Sequence, residues 1–245
     1  MRNFVGVFDS GVGGLTVLKS LQKVAPSCNF VYVADHAFCP YGTKPFEQIK
    51  KRAVAISEFL KDFGALQIVV ACNTASVFAN EIRKLSLPVF DVISTTCATV
   101  SAQRSCKSAI LLATQATVQS GVYQRVLGNL GVEVFAFACS EFVPLVENCA
   151  SECEKQQAAQ RCLRNVGNVR ADQVILGCTH FPLMQKQISL CLGREVVSCS
   201  QSVAPFFAKN CPKGQGQTLF LTTGDCLLAN KAAQWCGAKF LHVEI

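Results

Sequence analysis

Ile68-Val69-Val70-Ala71-Cys72-Asn73-Thr74 has a counterpart 106 positions later, Val174-Ile175-Leu176-Gly177-Cys178-Thr179-His180. Each is an apolar run of strand length, then a small residue, a cysteine and two polar residues that open a helix. A second pair keeps nearly the same offset. Val7-Phe8-Asp9-Ser10 and Leu112-Ala113-Thr114-Gln115 also follow apolar runs, with Asp9 and Thr114 105 positions apart. Two pairs held in one register predict two similar α/β lobes.

Outward from these stretches the alternation continues. Apolar runs at 4–8, 30–34, 68–71, 89–92, 109–113, 132–136, 174–176, 196–198, 219–222 and 239–243 read as strands. Amphipathic stretches at 15–24, 46–63, 74–84, 117–130, 142–165 and 225–235 read as helices. Strands that alternate with helices need crossover connections, which make parallel sheets covered by helices on both faces. Handedness then puts functional loops beyond the carboxyl ends of the strands. The expected fold is α/β, with two pseudo-symmetric lobes, each a mainly parallel sheet flanked by helices, and the active site between them.

Composition narrows the function classes. The chain has 245 residues, 50% hydrophobic and 16% charged, against ~25% charged in an average soluble chain; that excludes a disordered polypeptide. No run approaches the ~18 unbroken apolar residues of a membrane span. The apolar stretch ahead of Asp9 is too short for a secretory signal, so the expected location is the cytoplasm. A net charge of +7 permits an acidic partner, but no nucleic-acid motif accompanies it. The densest basic patch, Lys50-Lys51-Arg52, reads as a solvated helix face. The 15 cysteines include no C-x-x-C, which removes zinc-ribbon and thioredoxin signatures. Most of these thiols read as small core hydrophobes in a reducing compartment.

Cys72 and Cys178 differ from the other cysteines by position. Each falls where a strand ends and a helix begins, where backbone N–H groups and the helix dipole are expected to lower a thiol pKa from ~8.5 toward neutrality. His180, two residues past Cys178, and Asp9, at the end of another strand, can serve as proton partners or orienting groups for the sulfurs. Asp9 also suits a helix cap. Gly11-Val12-Gly13-Gly14 matches neither phosphate-loop pattern, and Asp9 would repel a phosphate; its amides are expected to approach a carboxylate ligand. Ser10, Asn73, Thr74, Thr114, Thr117 and Thr179, with Tyr41-Gly42, would give a polar pocket suited to a small zwitterion. Two thiols facing each other across a lobe interface can remove a proton from one face of a tetrahedral carbon and return one to the other. The product is the mirror-image centre, with the carbanion held by hydrogen bonds in a dry pocket.

The residues that carry this chemistry also resemble a family. The segments from Val7 to Val17, Pro40-Tyr41-Gly42-Thr43-Lys44, Ala71-Cys72-Asn73-Thr74-Ala75 and Leu176-Gly177-Cys178-Thr179-His180-Phe181-Pro182-Leu183 are similar to those of the glutamate racemases, within the wider aspartate/glutamate racemase superfamily. Ala113-Thr114-Gln115-Ala116-Thr117, Phe142-Val143-Pro144-Leu145-Val146-Glu147 and Thr223-Gly224-Asp225 match further segments. The resemblance implies a two-base racemase without cofactor or metal that interconverts L- and D-glutamate and supplies D-glutamate for peptidoglycan. It implies Cys72 and Cys178 as the acid/base pair, assisted by Asp9 and His180. Asp9, Ser10, Tyr41, Gly42, Asn73, Thr74, Thr179 and His180 would contact substrate, with Thr114, Thr117 and Glu147 lining the site. It further implies a homodimer and a C-terminal segment that returns to the first lobe, giving residues 1–94 plus 200–245 as one lobe and 95–199 as the other. The chain departs from the family's common Gly-Asp-Thr-Ala-Arg-like run at Ala34-Asp35-His36-Ala37-Phe38. It also departs at Ile93-Ser94-Thr95-Thr96, where a glutamate-proline pair is common, and at Ser198-Cys199-Ser200, where an acidic residue is. Its start just before the first strand leaves no N-terminal regulatory extension to expect.

Three functions compete on these residues: a glutamate racemase, a racemase of aspartate or another amino acid, and a family member without activity that binds an acidic partner. Turnover of D-glutamate beside D-aspartate separates the first two. Absence of α-proton exchange together with salt-sensitive binding would mark the third.

Overall fold

The computed structural model describes residues 3–245; Met1 and Arg2, the first residues of the expected first lobe, lie outside the described residues. Among the described residues ten strands build two sheets, and every pairing between neighbouring strands is parallel. β1 (Phe4–Asp9), β2 (Asn29–Ala34), β3 (Ala65–Val70) and β4 (Val89–Asp91) belong to the first sheet. β5 (Ser108–Ala113), β6 (Glu133–Ala138), β7 (Gln173–Gly177) and β8 (Val197–Ser198) form the second. The chain then returns, and β9 (Thr218–Thr222) and β10 (Phe240–His242) extend the first sheet beyond β2.

The strand orders are β10-β9-β2-β1-β3-β4 and β6-β5-β7-β8. Counted from its own first strand, each sheet contains the order 2-1-3-4. In both, the chain leaves the first strand to one side and then comes back to the other. That reversal places a crevice beyond the carboxyl ends of β1 and β3 in one sheet and of β5 and β7 in the other, where ligands of open α/β sheets bind. Asp9 and Cys72 stand at the first pair of ends, Thr114 and Cys178 at the second.

The strands are apolar without alternation because both faces are covered. On the first sheet Val5, Val7, Phe30, Tyr32 and Val69 face one buried cluster, and Phe4, Phe8, Val31, Val33 and Ile68 face another. On the second, Ile110, Leu112, Val174 and Leu176 face one side, and Ala109, Leu111, Ala113 and Ile175 the other. Helix Phe46–Asp62 shows how a face is closed. It buries Ile49, Ala53, Ile56 and Leu60, spaced three or four residues apart, against Phe4 and Phe8. Each large aliphatic side chain so buried is worth roughly 1.5–3 kcal/mol. Gly64, at φ +103°, stops the helix and turns the chain into β3. On this helix Lys50 pairs with Glu47 at the surface and Lys51 is exposed, as expected of a solvated face, while Arg52 departs from it and turns inward to Asp35.

Three expected helices are broken. Residues 74–84 form Asn73–Ser76 and Ala79–Arg83, and the Ser76 hydroxyl bonds the Cys72 carbonyl at 2.8 Å where the first piece ends. Residues 117–130 fall into Gln115–Ser120 and Val122–Asn129, parted by Gly121 in the left-handed region. Residues 142–165 divide into Phe142–Glu147 and Glu152–Leu163. Cys149 turns left-handed between them, and Ser151 with Glu154 closes a capping box that restarts the helix. Helix Val92–Ser101, capped by Asp91, was not expected. Among the described residues no helix is long and apolar enough to cross a membrane.

Candidate active site

The two cysteine turns meet. Cys72 follows β3 and Cys178 follows β7, each 5% exposed, and both line one small cavity between the sheets. Ser10, Tyr41, Gly42 and Asn73 line it from the first sheet's side together with Thr74, and Thr114, Thr179 and His180 from the second's. Pro40 and Val143, which the sequence did not single out, complete the wall. The cavity is pinched to about 10 Å³, roughly the room one water needs.

Three expected residues stand behind the wall. Asp9 is fully buried at the end of β1. Its Oδ2 accepts the N–H groups of Gly11 (3.2 Å) and Gly14 (3.0 Å), and its Oδ1 accepts the Thr179 hydroxyl from across the cleft (3.2 Å). Thr117 completes a buried ring of three hydroxyls with Thr74 (3.2 Å) and Thr114 (2.9 Å), while Thr74 and Thr114 meet at 2.9 Å. Glu147 closes helix Phe142–Glu147. Its Oε1 takes His180 Nε2 at 2.5 Å and the Val12 N–H at 2.9 Å, and its Oε2 takes His36 Nε2 at 3.1 Å.

The glycine loop therefore presents its amides to carboxylates, but to the protein's own. Gly11 and Gly14 serve Asp9, and Val12 serves Glu147. Gly13 is required by close approach, because a Cβ there would run into the His180 ring. Tyr41 contributes no free hydroxyl; its Oη is given to Asp35 at 2.5 Å. The Asn73 amide is held as well, accepting from Tyr123 Oη (2.7 Å) and donating to Cys199 Sγ (3.2 Å).

The two sulfurs sit in different electrostatic surroundings. Burial pushes the Cys72 thiol well above the ordinary thiol range and the Asp9 carboxylate adds to that push, against the N–H groups of Ala75, at 3.5 Å, and Ser10. The expected lowering at this turn is overturned: loss of water and a nearby anion outweigh the helix end, which here carries only four residues. Cys178 Sγ instead lies 3.8 Å from His180 Nδ1. Burial disfavours charge on that ring, but the Cys178 sulfur and Glu147 outweigh it and hold the imidazole well above its ordinary range. Burial likewise opposes charge on Glu147, and the hydrogen bonds from His180 and His36 overcome it, so its carboxyl lies well below the usual carboxylate range. Burial raises Asp9, moderated by His180 and the Gly11 and Gly14 amides. His36 and Asp35 escaped the sequence reading as site residues; the partners of His36 lie far along the chain, and although Asp35 meets Tyr41 and Arg52 nearby, no local pattern marks those contacts.

Two parallel sheets with matched strand order and paired cysteine turns at their shared crevice define a class of racemase. The sequence profile of the Asp/Glu/Hydantoin racemase family matches residues 15–204, and the chain belongs to that family. A glutamate racemase of Aquifex aeolicus is 39% identical over 223 residues, covering 88% of this chain and 87% of its own. The structure of a glutamate racemase isoform from Bacillus anthracis superimposes with a TM-score of 0.90 at 29% identity, covering 99% of this chain and 97% of that one. The Francisella tularensis glutamate racemase in complex with D-glutamate superimposes with a TM-score of 0.89 at 28% identity, covering 100% and 97%.

Proposed function

We propose that this chain is a glutamate racemase that interconverts L- and D-glutamate without a cofactor, with Cys72 and Cys178 as its two bases. The carrying observation is that the two thiols, at matched turns of two sheets, line one cavity. One sulfur, as thiolate, takes the α-proton; the electron pair stays on the α-carbon, conjugated with the carboxylate; the other sulfur gives its proton to the opposite face. The charge then resides on the second sulfur, and the reverse reaction restores the first. On one side His180, protonated on both ring nitrogens, donates to Cys178 and rests on Glu147. On the other, the amides of Ala75 and Ser10 receive charge on Cys72. Thiols with few water neighbours suit this chemistry, since exclusion of water strengthens each of these contacts.

Ser10, Asn73, Thr74, Thr114 and Thr179, with the backbone at Tyr41-Gly42, would hold the substrate's charged ends. D-glutamate made this way would supply peptidoglycan synthesis in the cytoplasm. The names of the relatives support glutamate over aspartate, and family resemblance supports a homodimer, which sedimentation velocity would test.

In deuterated water the purified chain should exchange the α-hydrogen of either glutamate enantiomer with no added cofactor, and should turn over D-aspartate far more slowly. Cys72→Ser and Cys178→Ser should each abolish racemisation. Full activity in either variant refutes the two-thiol mechanism.

A further inference from the structure

Two of the three histidines in the sequence meet at one carboxylate. His180 has a role in the reaction above; His36 has been given none. We propose that His36 is a positioning residue for the half of the reaction run by Cys178: standing on the first sheet, it fixes the carboxylate that orients His180 on the second. The inference rests on the racemase reading, because only there does Cys178 carry a proton.

His36 opens the short turn after β2 and is braced on three sides. Its Nδ1 lies 2.9 Å from Thr222 Oγ1, at the buried end of β9. The Gly224 N–H donates to that same hydroxyl oxygen at 3.2 Å, so the hydroxyl's own proton is free for Nδ1. The Glu147 carboxylate can only accept, so Nε2 carries an N–H aimed at Oε2. The Phe240 ring stands edge-on, 6.2 Å between centroids, and fixes the plane. A Cβ at Gly224 would fall 2.7 Å from the His36 Cβ, so backbone closes the last side.

Glu147 needs such a brace. It is the final residue of a six-residue helix, where the negative end of the dipole disfavours a carboxylate, and Cys149 then turns left-handed. With Oε1 shared by His180 and Val12, His36 alone among the described contacts holds Oε2. His36 does not line the cavity of the thiols; it lines the adjoining cleft with Glu147. Its influence must pass through Glu147 and His180 to Cys178.

The test uses the full chain with His36→Asn and His36→Gln. Asparagine keeps an oxygen where Nδ1 meets Thr222 but falls short of Glu147; glutamine reaches Glu147. Both enantiomers of glutamate are supplied with and without deuterium at the α-carbon. A change confined to the Cys178 half makes that step limiting in both directions. The isotope effect then rises when deuterium leaves to Cys178 and falls when it leaves to Cys72, whereas general structural damage moves both alike. In H36N, kcat should drop about ten- to a hundredfold, as expected for one hydrogen bond to a charged group, with KM within about twofold. The two isotope effects should diverge in the same sense as in His180→Asn, and H36Q should recover most of the loss. An active wild type whose H36N variant keeps both isotope effects, or shifts them together, overturns the inference alone. A wild type that moves no α-hydrogen overturns the racemase reading and the inference with it.

Discussion

Arg52 grips Asp35 with two parallel contacts, Nη2 to Oδ1 at 2.7 Å and Nε to Oδ2 at 3.0 Å, although Asp35 is wholly buried. The same carboxylate accepts the Tyr41 and Thr223 hydroxyls, so it ties helix Phe46–Asp62 to the Tyr41-Gly42 turn in the cavity wall. Removing the guanidinium strands a buried charge, which costs about 3–5 kcal/mol. Arg52→Met should lower unfolding stability by that amount in urea titrations, and Arg52→Lys should restore only part of it, since lysine lacks the fork.

The pair of Glu147 and His180 sets a pH window. Glu147 is held below its unfolded value near 4.5, so its contribution is full above that pH and disappears as pH falls through the lowered value. His180 is held above its unfolded value near 6.5, so its contribution is full below that pH and fades as pH rises toward the raised value. The stability gap between wild type and Glu147→Gln should be widest from about pH 4.5 to 6.5. Because His180 keeps its proton at neutrality, kcat/KM should show no inflection near pH 6.5. NMR of the His180 ring should show a titration moved to lower pH in Glu147→Gln, where burial acts with less opposition.

Cys72 should be a slow nucleophile at neutral pH. Alkylation by iodoacetamide, followed by mass spectrometry, should proceed more slowly at Cys72 than at the exposed Cys149 and Cys153, and accelerate only in the alkaline range. Asp9→Asn removes an anion that raises this thiol, so the alkaline limb should move to lower pH. An unmoved limb would count against the assigned influence of Asp9.

Gly13→Ala should be far more harmful than its size suggests. Its Cβ would press on the His180 ring, and a displacement of about 1 Å at a reacting group costs on the order of a hundredfold in rate. Gly128→Ala, in a helix with open space around it, should leave turnover unchanged and raise stability by about 0.5–1 kcal/mol. Steady-state rates and melting curves of the two variants make the comparison.

Much of this was readable in the sequence. Uninterrupted apolar runs such as Ile68–Val70 mark strands covered on both faces, and the matched cysteine segments located the crevice because strand ends carry a fold's functional loops. The breaks within the helices were harder, although two carried a local signal. Gly121 sits where a left-handed residue was needed, and Ser151 with Glu154 spells a capping box. Helix Val92–Ser101 is rich in β-branched residues, whose propensity points to strand; packing of Ile93, Cys97 and Val100 against the second sheet overrode it. The wiring behind the cavity was out of reach. His36 and Glu147 are 111 residues apart, and Arg52 and Ile245 are 193 apart. Only the assembled sheets bring such partners together.

The return of β9 and β10 to the first sheet has a mechanical consequence. The chain passes between the halves twice, outward through helix Val92–Ser101 and back through Cys199–Ser202, and Val92 and Cys199 pack within one core cluster. Two adjacent tethers act as the spine of a book. Covers joined along one line are expected to open by rotation about it, not by twist or sideways slip. Widening the pinched crevice for a guest is then a rotation that carries the sulfur of one cover away from its counterpart on the other. A single proteolytic nick in either tether would leave both covers attached.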